Sequence, residues 1–503
     1  MKKTLPLLLL ALLFSTHSCR KADSLPNPEN AVRPDPSYLD QFIRSRVEQQ
    51  GEFRWSWASD DLVWTALANS DQVMAVGYQP DDEVPGVEDR LHHTDIRASR
   101  WRDARQQVLD IILRHERQNN PGLSERDLLA FEENPVLPVL DVRLSNPATV
   151  TALRQSKLVR YAEPMGYEPF QADRVKERSS SGCGSNTAQT DLQLNIDYTN
   201  IQPGCKQSWN HPFHKITEAW NAGNTGSGTT VCIIDTGCSE DQENLGEALN
   251  QGYSSGRSME KYVTLPGASS PDDLCGHGTS MLGACAAPRG TDGAAAGIAY
   301  NADLVAFRAA EDVYLDASAE VTGVSNAFTQ AGNNTNVRII SLSMGRIISS
   351  SQISDAIKYA YGKGKMIFAA AGTSFSWTAW FTGVIFPASM AECVAVTGIK
   401  DNLTQRCAAC HVGSKVDFVL VMEKASTGRH ALSLAQSGDV PSTVGGSSVS
   451  TSSTAGIAAL VWAKYPGWTR QQVFDRLKTS GSYWPTRNGS FGWGRIDAQK
   501  ATL

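Results

Sequence analysis

The sequence predicts an α/β fold built on a parallel sheet, with a smaller α+β domain on its N-terminal side. The stretch 230–234 is almost continuously apolar, which is typical of a strand buried on both faces of a parallel sheet. Apolar segments at 281–287 and 455–462 each follow a glycine-containing turn and predict helices. At 503 residues the chain exceeds the usual span of one hydrophobic core, which predicts more than one domain.

The N-terminus predicts export. Lys2 and Lys3 precede an apolar run over 5–14, which is too short to span a bilayer and is typical of a signal peptide over 1–18. The segment ends in Thr-His-Ser-Cys, which resembles a loose bacterial lipobox and predicts a lipid on Cys19; the alternative is an ordinary signal peptide with an incidental cysteine. Residues 19–36 carry four prolines and predict a tether. We therefore expect a lipoprotein of the outer or cytoplasmic membrane, or a secreted protein after processing.

Residues 37–175 differ in composition from the rest of the chain, with many charges and no cysteine. Apolar residues spaced mostly by three and four predict a helix over 95–118. Further on, the sequence predicts a strand over 136–144, a short helix over 147–155 and a second strand over 158–164. Residues 176–194 are polar and predict an exposed, cleavable linker before a domain over 195–503.

Three short motifs carry candidate catalytic residues, in the order Asp, His, Ser. Asp235 ends the predicted strand, where α/β sheets place their sites. His277 lies in a Gly-His-Gly-Thr turn that opens a predicted helix, and Ser448 begins another. A buried carboxylate would orient the imidazole, which would take the proton of an attacking hydroxyl. Helix N-terminal amides would favour the developing negative charge.

This order is that of subtilisin, and the chain resembles the subtilisin-like serine proteases, or subtilases, from about residue 195 to its end. Aligning the family pattern Gly-Thr-Ser-x-Ala-x-Pro-x-x-Ala-Gly on Ala455-Gly456 selects Ser448 among several neighbouring serines. The resemblance implies a subtilisin-like domain with a central parallel sheet flanked by helices. It also implies a serine endopeptidase that works through an acyl-enzyme on Ser448.

The resemblance extends to the substrate site. The stretches 337–345 and 366–372 resemble the two walls of the family's pocket for the residue before the scissile bond. They imply substrate contacts from Ser343, Met344, Gly345, Ala370, Ala371 and Gly372. The oxyanion hole would comprise the Ser448 amide and Thr373, where subtilases normally carry Asn. Since a hydroxyl is shorter than an amide, the sequence predicts a slower enzyme.

The end of the 37–175 segment resembles the last part of a subtilase prodomain, which implies an intramolecular inhibitor. The alternative is an accessory domain without an inhibitory role. No cofactor is required by this chemistry, and the family resemblance leaves a structural calcium ion open without locating it. The net charge of −6 and the absence of basic runs argue against a nucleic-acid partner. The expected partners are protein or peptide substrates, with membrane contact through Cys19.

Ten cysteines suit an oxidising compartment. Because Cys238 and Cys275 neighbour two residues that must approach each other, we expect this pair to be bonded, with Cys183–Cys205 as a second candidate and Cys232 as a buried thiol. Cys407-Ala-Ala-Cys-His411 also matches the c-type haem motif. A local disulfide or structural thiols are the alternatives.

Two alternative functions remain at this point. Thr373 would be compatible with a protein that keeps the fold but binds peptides without turnover. A peptide ligase or macrocyclase would use the same acyl-enzyme and transfer it to an amine instead of water.

Overall fold

The computed structural model describes residues 35–170, 183, 186–374 and 380–503. The predicted signal peptide, Cys19 and nearly all of the 19–36 tether lie outside the described residues. Most of the predicted processing linker before residue 186 does too.

The N-terminal unit, residues 35–170, is an α+β domain as predicted. Its three strands form an antiparallel sheet in the order β2-β1-β3. The helix predicted over 95–118 spans Ser99–Glu116, because Asp95 caps a turn before it, and buries Trp101 and Val108. The elements are α1 Ser37–Gln50, α2 Asp60–Ala68, β1 Val73–Tyr78, α3 Ser99–Glu116, α4 Glu125–Leu128, β2 Val139–Arg143, α5 Pro147–Gln155 and β3 Val159–Pro164.

The second unit contains a seven-stranded sheet in the order β12-β11-β10-β9-β6-β8-β7, with every neighbouring pair parallel. Two short antiparallel hairpins, β4-β5 and β13-β14, accompany it. The elements are β4 Tyr198–Ile201, β5 Cys205–Ser208, α6 Ile216–Asn221, β6 Thr230–Asp235, β7 Met259–Val263, α7 His277–Ala286, β8 Asp303–Arg308, α8 Ser318–Asn333, β9 Val337–Leu342, α9 Ser351–Gly362, β10 Met366–Ala370, β11 Cys393–Lys400, β12 Phe418–Glu423, β13 Ala431–Ser433, β14 Ser442–Val444, α10 Gly446–Lys464, α11 Arg470–Thr479 and α12 Ala498–Thr502.

Helices cover both faces of this sheet, as the apolar character of β6 predicts. Val231 and Ile233 belong to the core that contains α7 and α10. Cys232 and Ile234 point to the other face and join the core that contains α8 and α9. The predicted α/β architecture is therefore confirmed, and its parallel strands bring their carboxyl ends to one edge of the sheet.

The N-terminal unit packs against α8 and α9, and charged groups line the contact. Arg160 forms a two-pronged ion pair with Asp355, at 2.6 and 3.2 Å, and both side chains are almost fully buried. Glu163 accepts hydrogen bonds from the amide and hydroxyl of Ser351 at the start of α9, at 2.8 and 2.7 Å. The Glu163 carboxylate complements the positive N-terminal end of that helix.

Candidate active site

Asp235 and His277 come together at the carboxyl edge of the sheet. Asp235 is the last residue of β6 and His277 the first of α7. The imidazole Nδ1 lies 2.7 Å from the Asp235 Oδ1, and both side chains are buried. Burial lowers the pKa of His277, but the neighbouring carboxylates, Asp235 foremost and then Asp273 and Asp312, together raise it more, so the pKa lies above its usual value of about 6.5. The imidazole is thereby oriented, with Nε2 left for chemistry.

A second carboxylate, which the sequence analysis missed, organises the turn before His277. Asp273 is fully buried and accepts hydrogen bonds from the amides of Cys275 and Gly276 and from the amide and hydroxyl of Thr279, at 2.7 to 3.1 Å. Thr236, next to Asp235, donates its hydroxyl to the same carboxylate at 2.8 Å. Asp273 therefore ties the start of α7 to the end of β6. An aspartate four residues before the histidine was the available signal.

Ser448 lies in the first turn of α10 and is partly exposed. Gly446, which opens this helix, has a φ of +80°, and a Cβ there would lie 2.7 Å from the Thr373 hydroxyl, so both its backbone and its surroundings favour glycine. The Ser448 hydroxyl donates to the carbonyl of Ser343 at 3.1 Å. The nucleophile candidate thus points its proton along the substrate wall instead of toward His277.

Thr373 contacts the same turn. Its hydroxyl accepts a hydrogen bond from the Ser447 amide at 3.2 Å and lies 3.1 Å from the Ser447 hydroxyl. The Ser447 hydroxyl in turn accepts from the amide of Gly372 at 3.2 Å. Thr373 therefore contacts the residue before Ser448 and shares a hydrogen-bond network with the Ser447 hydroxyl.

A cavity of about 40 Å³ lies beside Ser448. Five of the six residues predicted to bind substrate line it, namely Ser343, Met344, Gly345, Ala370 and Gly372. Ala371 does not, because it is fully buried and joins the apolar core. The sequence analysis missed further lining residues that come from separate loops: Val313, Tyr314, Ile347, Ile385 and His411. The cavity is small and has an apolar floor.

The Cys-x-x-Cys-His motif forms a disulfide, which leaves no thiols for attachment of haem. Cys407 and Cys410 are bonded to each other. His411 is buried, with Nδ1 at 2.7 Å from the Gly383 carbonyl and Nε2 at 3.0 Å from the Ser374 hydroxyl. Burial lowers the pKa of His411 to about 4, so the imidazole is neutral. Cys410 forms a β-bridge with Thr373, so the motif packs beside the wall formed by residues 366–372.

Both long-range disulfide predictions were wrong. Cys275 bonds to Cys183, while Cys238 and Cys205 are buried free thiols. The error arose because Cys183 lies beside the His277 turn, a contact between distant residues that no local pattern reveals. Cys232 is a buried free thiol, as predicted. Burial raises the pKa of Cys238 to about 11.

Within the described ranges, no group of three or more His, Cys, Asp or Glu side chains is arranged to hold a metal ion. In the same part of the chain, no helix combines the length and apolar character needed to cross a membrane.

Comparison with known proteins places this geometry in a family. The sequence model of the subtilase family matches residues 226–494. The alkaline protease of Alkalihalobacillus alcalophilus is 30% identical over 284 residues, covering 56% of this chain and 67% of that protein. Subtilisin Savinase of Lederbergia lenta is also 30% identical over 284 residues, covering 56% and 94%. The crystal structure of MycP1 from Mycobacterium smegmatis is similar in fold, with a TM-score of 0.50 at 20% identity, covering 64% of this chain and 88% of that one.

Proposed function

Since the chain belongs to the subtilase family and is a serine-type endopeptidase, we propose that Asp235, His277 and Ser448 are its catalytic triad. The observation that carries this assignment is the buried 2.7 Å hydrogen bond between Asp235 and His277 at the carboxyl edge of the sheet. Ser448 enters the same edge at the start of α10, and its order after Asp and His is that of the family.

In the proposed reaction, Ser448 Oγ attacks the carbonyl carbon of the scissile peptide bond while His277 Nε2 takes its proton. Asp235 stabilises the resulting imidazolium. Collapse of the tetrahedral intermediate breaks the C–N bond, and His277 returns the proton to the leaving amine. A water molecule then attacks the acyl-enzyme with His277 again as base, which frees the acid and regenerates Ser448.

The oxyanion hole is assigned to the Ser448 amide and the Thr373 hydroxyl. Support comes from the position of Ser448 in the first turn of α10, where amides are not used by the helix itself. The Thr373 hydroxyl already accepts from the Ser447 amide at 3.2 Å and lies 3.1 Å from the Ser447 hydroxyl, so a substrate oxygen would compete with Ser447 for it. This competition gives a physical reason to expect slower turnover than in relatives with an amide donor.

The family membership supports protein or peptide substrates, and the cavity restricts which side chain can lie just before the scissile bond. Its apolar lining and small volume favour a small apolar side chain just before the scissile bond. Met344 and Ala370 form opposite walls of this pocket in the proposed binding mode.

We assign residues 37–175 as a prodomain that holds and inhibits the catalytic unit over 195–503. The buried Arg160–Asp355 pair and the Glu163 contact with α9 support the assignment. After β3, the chain meets the catalytic unit at Arg346, which donates to the Met165 carbonyl at 3.1 Å, beside the substrate wall. Cys183 then bonds to Cys275, two residues before His277. The linker between these points therefore starts and ends beside the active site.

Export is proposed from the signal-like N-terminus, with Cys19 as the lipidation site. Cleavage between residues 170 and 183 would release the catalytic unit from a lipid anchor on Cys19. Structural calcium is compatible with the family but is assigned no residues.

The test is hydrolysis of casein and of a p-nitrophenyl ester by purified full-length protein and by the His277→Ala and Ser448→Ala variants. We expect an acyl-enzyme on Ser448 after acid quench, detected by mass, and loss of both activities in both variants. A folded, processed wild type without any acyl-enzyme would contradict the proposal and favour a binding protein. Added amine would distinguish a ligase, because its main product would then be the amide and not the free acid.

A further inference from the structure

A segment of the chain itself covers the substrate wall next to Ser448; this wall is the stretch 343–345 after β9. The Gly345 amide donates to the Val313 carbonyl at 3.2 Å, and the Leu315 amide donates to the Gly345 carbonyl at 3.1 Å. These two bonds pair residues 313–315, the cover strand, in parallel with the wall. Tyr314 adds a side-chain contact, since its hydroxyl accepts from the Ile347 amide at 3.4 Å. Both backbone groups of Gly345 are therefore already occupied.

An extended substrate would need these same groups. The Ser448 hydroxyl lies 3.1 Å from the Ser343 carbonyl, so a peptide bond held at Ser448 lies at the start of this wall. Extended peptides bind by adding a strand to an open sheet edge. With about 3.3 Å per residue, Gly345 would face a substrate residue roughly two positions before the one at Ser343. The cover strand occupies that place.

One buried carboxylate anchors both ends of the cover strand. Glu320, in the first turn of α8, is 3% exposed. One of its oxygens accepts from the amides of Glu311 and Asp312, at 3.1 and 3.3 Å. The other accepts from the amides of Asp316 and Ala317, at 3.1 and 3.2 Å. The four amides flank residues 313–315 on either side, so the carboxylate closes the loop around the cover strand.

We propose that Glu320 is a specificity-determining positioning residue that holds the cover strand on Gly345. Substrate residues three or more positions before the scissile bond then contribute little to substrate selection. The inference rests on the proposed function. It follows from geometry: the cover strand and an extended substrate compete for the same two backbone hydrogen bonds at Gly345. Releasing the cover strand opens them to substrate.

The test compares peptides that share the residue before the scissile bond but carry one, two or four residues on that side, together with a p-nitrophenyl ester of that residue. For wild type, we expect kcat/KM to change less than about threefold from two to four residues. For Glu320→Ala, we expect kcat/KM to rise by about tenfold or more from two to four residues, mainly through a lower KM. This rise is the equivalent of one or two backbone hydrogen bonds. Ester hydrolysis should change much less than this, because the ester does not extend to Gly345, although Val313 and Tyr314 also line the cavity beside Ser448. Glu320→Gln, which loses acceptors on one side only, should lie between.

Glu311→Gln is the matched control, because this exposed carboxylate lies on the same loop and, among the described residues, forms its ion pair with Arg308. It should behave as wild type. The proposal is overturned if wild type already gains tenfold or more from four residues, or if Glu320→Ala loses ester and peptide hydrolysis equally. The wild-type series alone decides if Glu320→Ala does not fold.

Amide hydrogen exchange separates this inference from the proposed function. In the Ser448→Ala background, Glu320→Ala should speed exchange at Leu315 and Gly345 at least about tenfold, whereas Glu311→Gln should not. Unchanged exchange at both amides would overturn the role of Glu320 even in an active protease. Absence of an acyl-enzyme in wild type would instead refute the proposed function, and with it the substrate competition.

Discussion

The buried ion pair between Arg160 and Asp355 should dominate the hold of the N-terminal unit on the catalytic unit. Its two N–O distances are 2.6 and 3.2 Å, and the two side chains are 9% and 5% exposed. Tyr161 adds a hydroxyl contact to the same carboxylate at 3.2 Å. Removing one member of such a pair leaves the other charge buried, which costs about 3–5 kcal/mol. Arg160→Ala should therefore weaken the interface by about 100- to 3,000-fold.

A second ion pair across the same interface supplies a matched control. Lys358, on α9, contacts Asp89 at 2.8 Å, but the two side chains are 23% and 65% exposed. Exposed pairs contribute at most about 1 kcal/mol, so Lys358→Ala should weaken the interface no more than about fivefold. Both pairs cross the contact, but the Arg160–Asp355 pair is buried and two-pronged, whereas the Lys358–Asp89 pair is exposed and single.

The assay uses the Ser448→Ala protein with a site for a specific protease inserted between residues 171 and 182. This position precedes Cys183, so the Cys183–Cys275 disulfide does not tether the released unit. After cleavage, the dissociation of the N-terminal unit is measured by surface plasmon resonance. Equal effects of Arg160→Ala and Lys358→Ala would refute the reasoning, because burial would then not decide the strength of these pairs.

Three further predictions concern acidity and turnover. Because Asp235 raises the pKa of His277, the acid limb of kcat/KM should lie above pH 6.5, and Asp235→Asn should move it lower; a wild-type limb below 6.5 would contradict the pair. Asp141, on β2, accepts a hydrogen bond from the Thr322 hydroxyl on α8 at 2.7 Å, and burial raises its pKa to about 6, so the bound form holds an extra proton between about pH 4 and 6. In this range the affinity of the N-terminal unit for the catalytic unit should fall about tenfold for each unit by which the pH rises, and it should level off above pH 6. A slope that remains in Asp141→Asn would contradict this. Thr373→Val should lower kcat, with KM nearly unchanged, but by less than the known cost of removing subtilisin's own amide donor, about 10²- to 10³-fold, because the hydroxyl is the weaker donor; unaltered kcat would exclude Thr373 as a donor.

Local patterns were sufficient for the core of this fold. The apolar run before Asp235 forms β6, and the spacing to Ala455-Gly456 places Ser448 in the first turn of α10. The short helix predicted over 147–155 has the predicted bounds, because Asn146 caps it and Pro147 starts it. Such features depend on residues close in sequence, which a pattern can contain.

Contacts between distant loops were beyond the sequence. Cys183 and Cys275 are separated by 92 residues, and their pairing depends on the path of the chain back to the His277 turn. Glu320 anchors both ends of a loop, and no periodicity in the sequence predicts the conformation of that loop. Ala371 does not line the cavity for a related reason: alternation along the strand end turns it into the core, while Ala370 and Gly372 line the cavity.

Covalent labelling by a fluorophosphonate tests the central claim most directly. The full-length wild type, Ser448→Ala, and Ser447→Ala as a neighbouring control are treated with the probe, and the labelled peptide and the mature N-terminus are identified by mass. The account predicts a label on Ser448 in wild type, none in Ser448→Ala, and cleavage between about residues 165 and 195 only in labelling-competent protein. A label that persists in Ser448→Ala, or a processed wild type that takes none, would contradict it.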